Sequence, residues 1–328
     1  MKTLPLILTA VFPALPLTAE QCVTLGDSLT FAYEAEFGFE IDIFLGGTRG
    51  DGFGSEVRNW IEILANPGFR SDRFDIGGRI EFDLGFPVYN GGDNLLFRHD
   101  YNWALPGHKI EELRSFIAGE TDFEDMVAAQ PDLALLLQFS DLDTDTVFEL
   151  ADLENQIQTS AERLVFFIGG NDVRSVYGDI YDGLSSGTFV ADFISDAVEI
   201  LDRVLTLNPN IQIVVVNVPH IGITPDIKNT VGIDPVGTER VTDVLRDLNA
   251  QLAGVARDRG LGYADIFTPT LSLLGAAPLC IHGIPFLNEG STSGNLDYVW
   301  LNGEFSANFH PNTNAQTLIA NDIIDAFN

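Results

Sequence analysis

The sequence predicts an α/β protein, a three-layer α/β/α sandwich around a central, mostly parallel five-stranded sheet. Short apolar runs alternate with helix-period segments along the chain, and strands separated by helices pair in parallel. Runs such as Leu164 to Ile168 and Ile211 to Val218 are almost continuously apolar, as buried strands are. With 45% hydrophobic residues over 328 positions, the chain can bury one large core, and no linker, repeat or low-complexity tract divides it.

Residues 1–19 read as a secretory signal rather than as structure. Lys2 precedes the apolar stretch Leu4 to Leu17, and Thr18-Ala19 sets the expected cleavage near Ala19. Pro5, Pro13 and Pro16 argue against a first core helix there. Residues 20–328 are then one domain. Strand one spans about 22–27 and runs into the turn-forming Gly26-Asp27-Ser28-Leu29. A helix from Glu56 to Ala65 places Trp60, Ile61 and Leu64 on one face, and Asn66-Pro67-Gly68 stops it. Strand two covers 95–101. The next helix covers 109–118, with Ile110, Leu113, Phe116 and Ile117 at helical spacing. Ala134 to Phe139 is a further apolar run. A helix over 151–161 leads to strand three at 164–168, and a long helix over 189–206 leads to strand four at 211–218. The helix Val241 to Arg257 precedes strand five, Tyr263 to Phe267, and Thr313 to Phe327 closes the chain as a helix. Segments 37–54, 70–93, 174–188 and 268–300 read as inserted loops that would form the rim of a cleft.

The formal net charge is −31, from 48 acidic and 17 basic residues, and the only lysines are Lys2, Lys109 and Lys228. Such a field disfavours nucleic acid and anionic membrane surfaces as partners. Beyond residue 19 no apolar run is long enough to span a bilayer, so a soluble product, secreted or periplasmic, is expected. Export permits a disulfide between the two cysteines, Cys22 and Cys280.

Three later segments give the Gly26-Asp27-Ser28-Leu29 turn its chemical meaning. They are Asn102-Trp103-Ala104-Leu105-Pro106-Gly107, Gly169-Gly170-Asn171-Asp172 and Asn308-Phe309-His310-Pro311-Asn312. Ser, Gly, Asn and His thus appear in order, the first three after expected strands. Acyl transfer needs this set: a nucleophile, a base within reach, and donors aimed at a developing oxyanion. In these four blocks the chain resembles the GDSL, or SGNH, hydrolase superfamily. Asp152 to Gln156 and Val214 to Pro219, with Gly222 and Thr224-Pro225 behind, are similar to its lipase-like branch.

The resemblance implies the flavodoxin-like SGNH hydrolase fold and a carboxylic ester hydrolase that needs no cofactor. It assigns Ser28 as nucleophile, His310 as general base, and the Ser28 N–H, Gly107 and Asn171 as oxyanion donors. Asp27, Asn102 and Asp172 read as residues that shape or brace loops, His108 as a residue of the cleft, and His220 as structural. The family's aspartate three residues before the histidine is replaced by Ala307. A backbone carbonyl near Ala307 could orient His310 in its stead, with Glu304 and then Asp297 as the alternatives. Asp141 to Asp145 begins like a calcium loop but has Thr146 at the glycine position and Asp152 where a glutamate would be, and reads as a solvated acidic loop. No zinc spacing, phosphate-binding glycine loop or dinucleotide fingerprint is present in the sequence. Esters or lipids with short to medium acyl chains are the expected substrates. A carbohydrate O-acetylesterase is the alternative of the same fold, and a non-catalytic ligand-binding descendant the alternative of another class.

Overall fold

The computed structural model describes residues 19–33, 58–66, 74–83, 94–122, 125–126, 149–274, 279–281, 284–290, 298–300 and 309–327. The apolar run 134–139, the acidic loop 141–145, and Asp297, Glu304 and Ala307 lie outside the described residues, as do residues 1–18.

A five-stranded parallel sheet, in the order β2-β1-β5-β6-β7, forms the centre. Its strands are β1 Glu20–Gly26, β2 Phe74–Asp75, β5 Arg163–Phe167, β6 Gln212–Val216 and β7 Gly262–Ala264. Cys22 pairs with Arg163 and Gly26 with Phe167, so β1 and β5 end together. Burial on both faces explains the unbroken apolar runs. Along β5, Leu164 and Phe166 point into one core and Val165 and Phe167 into the other. The first core is closed by α2 Ile110–Ile117, α3 Leu150–Thr159, α4 Gly170–Tyr181, α5 Phe189–Leu207 and α7 Pro235–Asp258. The second is closed by α1 Trp60–Ala65 and α9 Thr313–Ala326. This is the expected three-layer sandwich.

Several expected elements are different. The run taken as strand two does not enter the sheet. Asn94–His99 (β4) pairs antiparallel with Arg79–Asp83 (β3) in a separate hairpin, and the chain reaches β1 only afterwards. There Trp103 N–H donates to Thr24 O and Leu105 N–H to Gly26 O, both parallel to β1. The edge beside β1 is therefore shared, β2 taking its first two residues and 101–105 its last half. The segment 174–188 is largely helical, as part of α4. Its Val173, Tyr177, Ile180 and Tyr181 are buried at helical spacing, a period hidden by the glycines on either side. Residues 268–300 also hold a helix, α8 Phe267–Ser272, and the strands β8 Leu279–Ile281, β9 Ile284–Gly290 and β10 Tyr298–Trp300. The helix expected from Val241 begins earlier, at Pro235, where Asp234 caps it and proline fits the first turn. A short α6, Pro225–Thr230, precedes it.

Cys22 is a free, fully buried thiol, so the bridge to Cys280 that export permits is not formed. It sits on β1 among Trp60, Phe74, Val165 and other members of the second core, and burial pushes its thiol pKa upward. Among the described residues no helix is long and apolar enough to cross a membrane.

Candidate active site

The four blocks meet at the carboxyl edge of the sheet, where parallel α/β folds place their ligands. Gly26 closes β1 against its neighbour: a Cβ there would stand 2.3 Å from the Phe167 carbonyl. The turn that follows is held by the Asp27 side chain, which accepts the Leu29 N–H at 3.0 Å. It leaves Ser28 with its Oγ 2.8 Å from His310 Nε2. Both residues are nearly inaccessible, at 5% and 9% exposure, so the hydroxyl has little competition from water for the imidazole.

His310 is placed by the segment ahead of α9. Pro311 bridges to Trp300 of β10, and Asn312 N–H donates to Val299 O at 2.7 Å. The Asn312 side chain then caps α9 by accepting the Ala315 N–H at 3.1 Å. The Tyr33 ring packs edge-on to the imidazole at 5.7 Å, and its hydroxyl bonds to Pro311 O and receives Gln316 Nε2. Burial is the main reason that the His310 pKa is pushed down to about 4, with the positive charge of Arg174 adding to it. Arg174 lies over the Phe309 ring and pairs with Asp226 at 2.9 Å.

The Gly107 block is a tight turn. Pro106 and Gly107 occupy its centre, Gly107 has φ +76°, and His108 N–H donates back to Leu105 O. Proline followed by a glycine at positive φ is the signature of a type II turn. Asn102 braces the approach: its side chain receives Thr24 Oγ1 at 2.7 Å and donates to Thr30 O at 3.0 Å. At the head of α4, Gly169 adopts φ +129°, and a Cβ there would meet Val218 at 2.6 Å. That geometry lets Asn171 reach the turn, where Nδ2 donates to the His108 carbonyl at 3.1 Å. The amide keeps a second N–H for another acceptor.

The structure thus brings Ser28 to His310, and Asn171 to the turn that carries Gly107. Two buried carboxyls lie beneath them. Burial raises Asp27 to about 6 against backbone donors that include Leu29, Gly169 and Gly170. It raises Asp172 to about 7, and Asp27 adds to the rise. His108 does not line an open cleft. It is 2% exposed, and burial holds its pKa down at about 4. His220 is bonded within the fold, to Thr242 Oγ1 at 3.0 Å and to the Gly222 N–H at 3.2 Å. Sequence reasoning missed Tyr33, Arg174 and Gln316, which pack around His310 or charge its surroundings. No motif marks them, and Arg174 fell in a segment read as loop. A small apolar cavity of about 90 Å³ is bounded by Leu29, Phe167, Ile221, Trp300, Phe309 and Pro311 among others, and neither Ser28 nor His310 lines it. Among the described residues, no group of three or more His, Cys, Asp or Glu side chains is arranged to hold a metal ion.

The model of the GDSL-like Lipase/Acylhydrolase family matches residues 22–323. No curated protein matches the chain. Among solved structures, an extracellular lipase from Streptomyces rimosus is similar at 16% identity and a TM-score of 0.46, over 94% of this chain and 100% of that one. An acetylxylan esterase from Geobacillus stearothermophilus is similar at 11% identity and a TM-score of 0.44, over 95% and 96% of the two chains. With the family pattern matched over almost all of its length, and with its four motifs gathered at one edge of the sheet, the chain belongs to the GDSL-like lipase/acylhydrolase family.

Proposed function

We propose that the chain is an exported serine ester hydrolase acting on carboxylic esters with short to medium acyl chains. The observation that carries this reading is the 2.8 Å contact between Ser28 Oγ and His310 Nε2 inside a nearly dry site. A hydroxyl is a weak nucleophile until a base takes its proton, and a neutral imidazole at this distance is such a base. Ser28 Oγ attacks the ester carbonyl carbon while its proton passes to His310 Nε2. The carbonyl oxygen becomes an oxyanion, received by the Ser28 N–H, the Gly107 N–H and the free hydrogen of Asn171 Nδ2. The intermediate collapses to an acyl-enzyme as His310 protonates the departing alcohol. Water then repeats the sequence, with His310 again as base, and releases the acid.

The cavity supports an apolar acyl group rather than a sugar ring. Its wall is apolar and includes Leu29, Phe309 and Pro311, the chain neighbours of Ser28 and His310. Export is inferred from the charged and apolar pattern of residues 1–19.

A panel of chromogenic esters of graded acyl length, run beside acetylated xylan, tests the reading. Short to medium esters should be turned over best, and preference for the acetylated polysaccharide would assign the carbohydrate esterase instead. Ser28→Ala should lose more than about a hundredfold in kcat, because the activated nucleophile carries most of the rate. Turnover surviving in that variant would overturn the proposal, and a folded wild type with no ester turnover would leave a ligand-binding protein.

A further inference from the structure

Two consecutive residues at the head of α4 grip the turn that carries Gly107. Asn171 Nδ2 donates to the His108 carbonyl, and the Ile110 N–H lies 3.1 and 3.2 Å from the two carboxyl oxygens of Asp172. On the other side His108 N–H is tied to Leu105 O, so the peptides on both sides of His108 are held. Lys109, which opens α2, caps no helix N–H with its side chain; its own N–H donates to Glu112 Oε2 at 2.8 Å, and the first helical amide, Ile110, is left to Asp172.

Asp172 occupies a costly position for a group that does no more than accept one N–H. It is 7% exposed, and Asp27 from the turn after β1 acts on it as a second acid. Lys109 is the cation that partly offsets the pair. A Cβ on Gly170 would stand 3.5 Å from Asp27 Oδ2, so Asp27 backs the same α4 terminus from below. Buried acids kept at such cost are explained by what they position.

Resting on the serine hydrolase reading, we propose that Asp172 is a positioning residue for the oxyanion site. It fixes the Ile110 amide while Asn171 fixes the His108 carbonyl, and together they set the direction of the Gly107 N–H. That N–H must point to where the oxyanion develops, a place the ground-state ester does not yet fill. A misplaced donor therefore costs rate and spares substrate binding.

The test compares Asp172→Ala, Asp172→Asn and wild type on one short-chain chromogenic ester, at a temperature where all three are folded. In Asp172→Ala, kcat should fall by about a hundredfold with KM within about threefold, the signature of an interaction made only in the transition state. Asp172→Asn keeps an acceptor for Ile110 and should recover kcat to within about fivefold of wild type. A residue that merely caps α2 would lower the melting temperature of Asp172→Ala and leave kcat intact, and that result overturns the proposal. So does an Asn variant as slow as the Ala variant. Should Asp172→Ala not fold, Asp172→Glu, which pushes the carboxyl one methylene further into the turn, takes its place with the same expected loss. Amide hydrogen exchange in Ser28→Ala and Ser28→Ala/Asp172→Ala reads the turn without turnover. Faster exchange over 107–110 than over the rest of α2 is expected in the double variant, and unchanged exchange overturns the proposal. A wild type without ester turnover would refute the hydrolase reading, while the exchange measurement would still decide the role of Asp172.

Discussion

His310 rests neutral because it is buried, and the sign of its pH dependence follows. With its pKa pushed down to about 4, the base is free to accept a proton at all higher pH. The rate constant kcat/KM should therefore rise with pH through a midpoint below the ordinary imidazole value of about 6.5 and be level near neutrality. A profile from pH 3.5 to 8 checks this, and a midpoint above 7 would mean that a carboxylate holds the imidazolium. Asp172 has the opposite linkage. Its pKa rises from 3.8 unfolded to about 7 folded, so between those values the native state binds the extra proton. The contribution of Asp172 to stability is full below about pH 4 and is lost as pH rises toward 7. Asp172→Asn should remove a loss on the order of a few kcal/mol across that window. Melting temperatures of the two proteins at pH 4.5 and 7.5 would show the wild type falling further, and equal falls would refute the linkage. Gly169 gives a backbone prediction: Gly169→Ala must strain a φ of +129° and displace Val218 or Phe193, so a loss of about 2–4 kcal/mol is expected from denaturant unfolding.

Among the elements, α9 ties His310 to the second core. Asn312 is fully buried, caps α9 through Ala315, and is bonded to Val299 on the strand that flanks the site. Asn312→Ala should cost about 1–2 kcal/mol as a lost cap. It should also lower kcat, because the cap sits two residues from His310. An urea titration with parallel kinetics measures both, and a stable but fully active variant would show that β10 alone places the histidine. The head of α4 is the second such junction. Its positive-φ glycine turns the chain from β5 into the helix and carries Asn171 to the neighbouring turn. The Gly-Gly-Asn-Asp segment was legible as a site from sequence. The helix behind it was not, because its buried stripe of Val173, Tyr177 and Ile180 is interrupted by small and charged residues.

Across the whole molecule the charge of −31 is unbalanced and self-repelling. Raising ionic strength from 0.05 to 1 M shortens the screening length to about 3 Å, so the melting temperature should climb with NaCl. A flat response in a thermal-shift series would mean that the acidic residues are spaced widely enough not to oppose folding. The exposed ion pairs do little to counter the field. Arg246 with Glu239 and Asp243, and Arg257 with Asp258, join largely exposed side chains, whose pairs contribute little.

The sequence by itself determined the fold class, the strands β1, β5 and β6, and the order of Ser28, Gly107, Asn171 and His310; the strand expected over Tyr263 to Phe267 ends at Ala264, and Phe267 opens α8. Those features are local: an apolar run long enough to be buried on both faces, and turn residues directly after it. Tertiary structure decided what local pattern cannot encode. Whether 95–101 joins the sheet depended on which segment occupied the edge of β1: β2 and residues 101–105 take it, and 94–99 pairs with β3 instead. Cys22 reads equally well as a bridge or as a core residue until its strand is placed between β2 and β5, where it is a buried thiol. Tyr33, Arg174 and Asp172 acquire their places around the site only when strands and helices far apart in the chain are packed together, because burial and distance belong to the folded chain and not to its order.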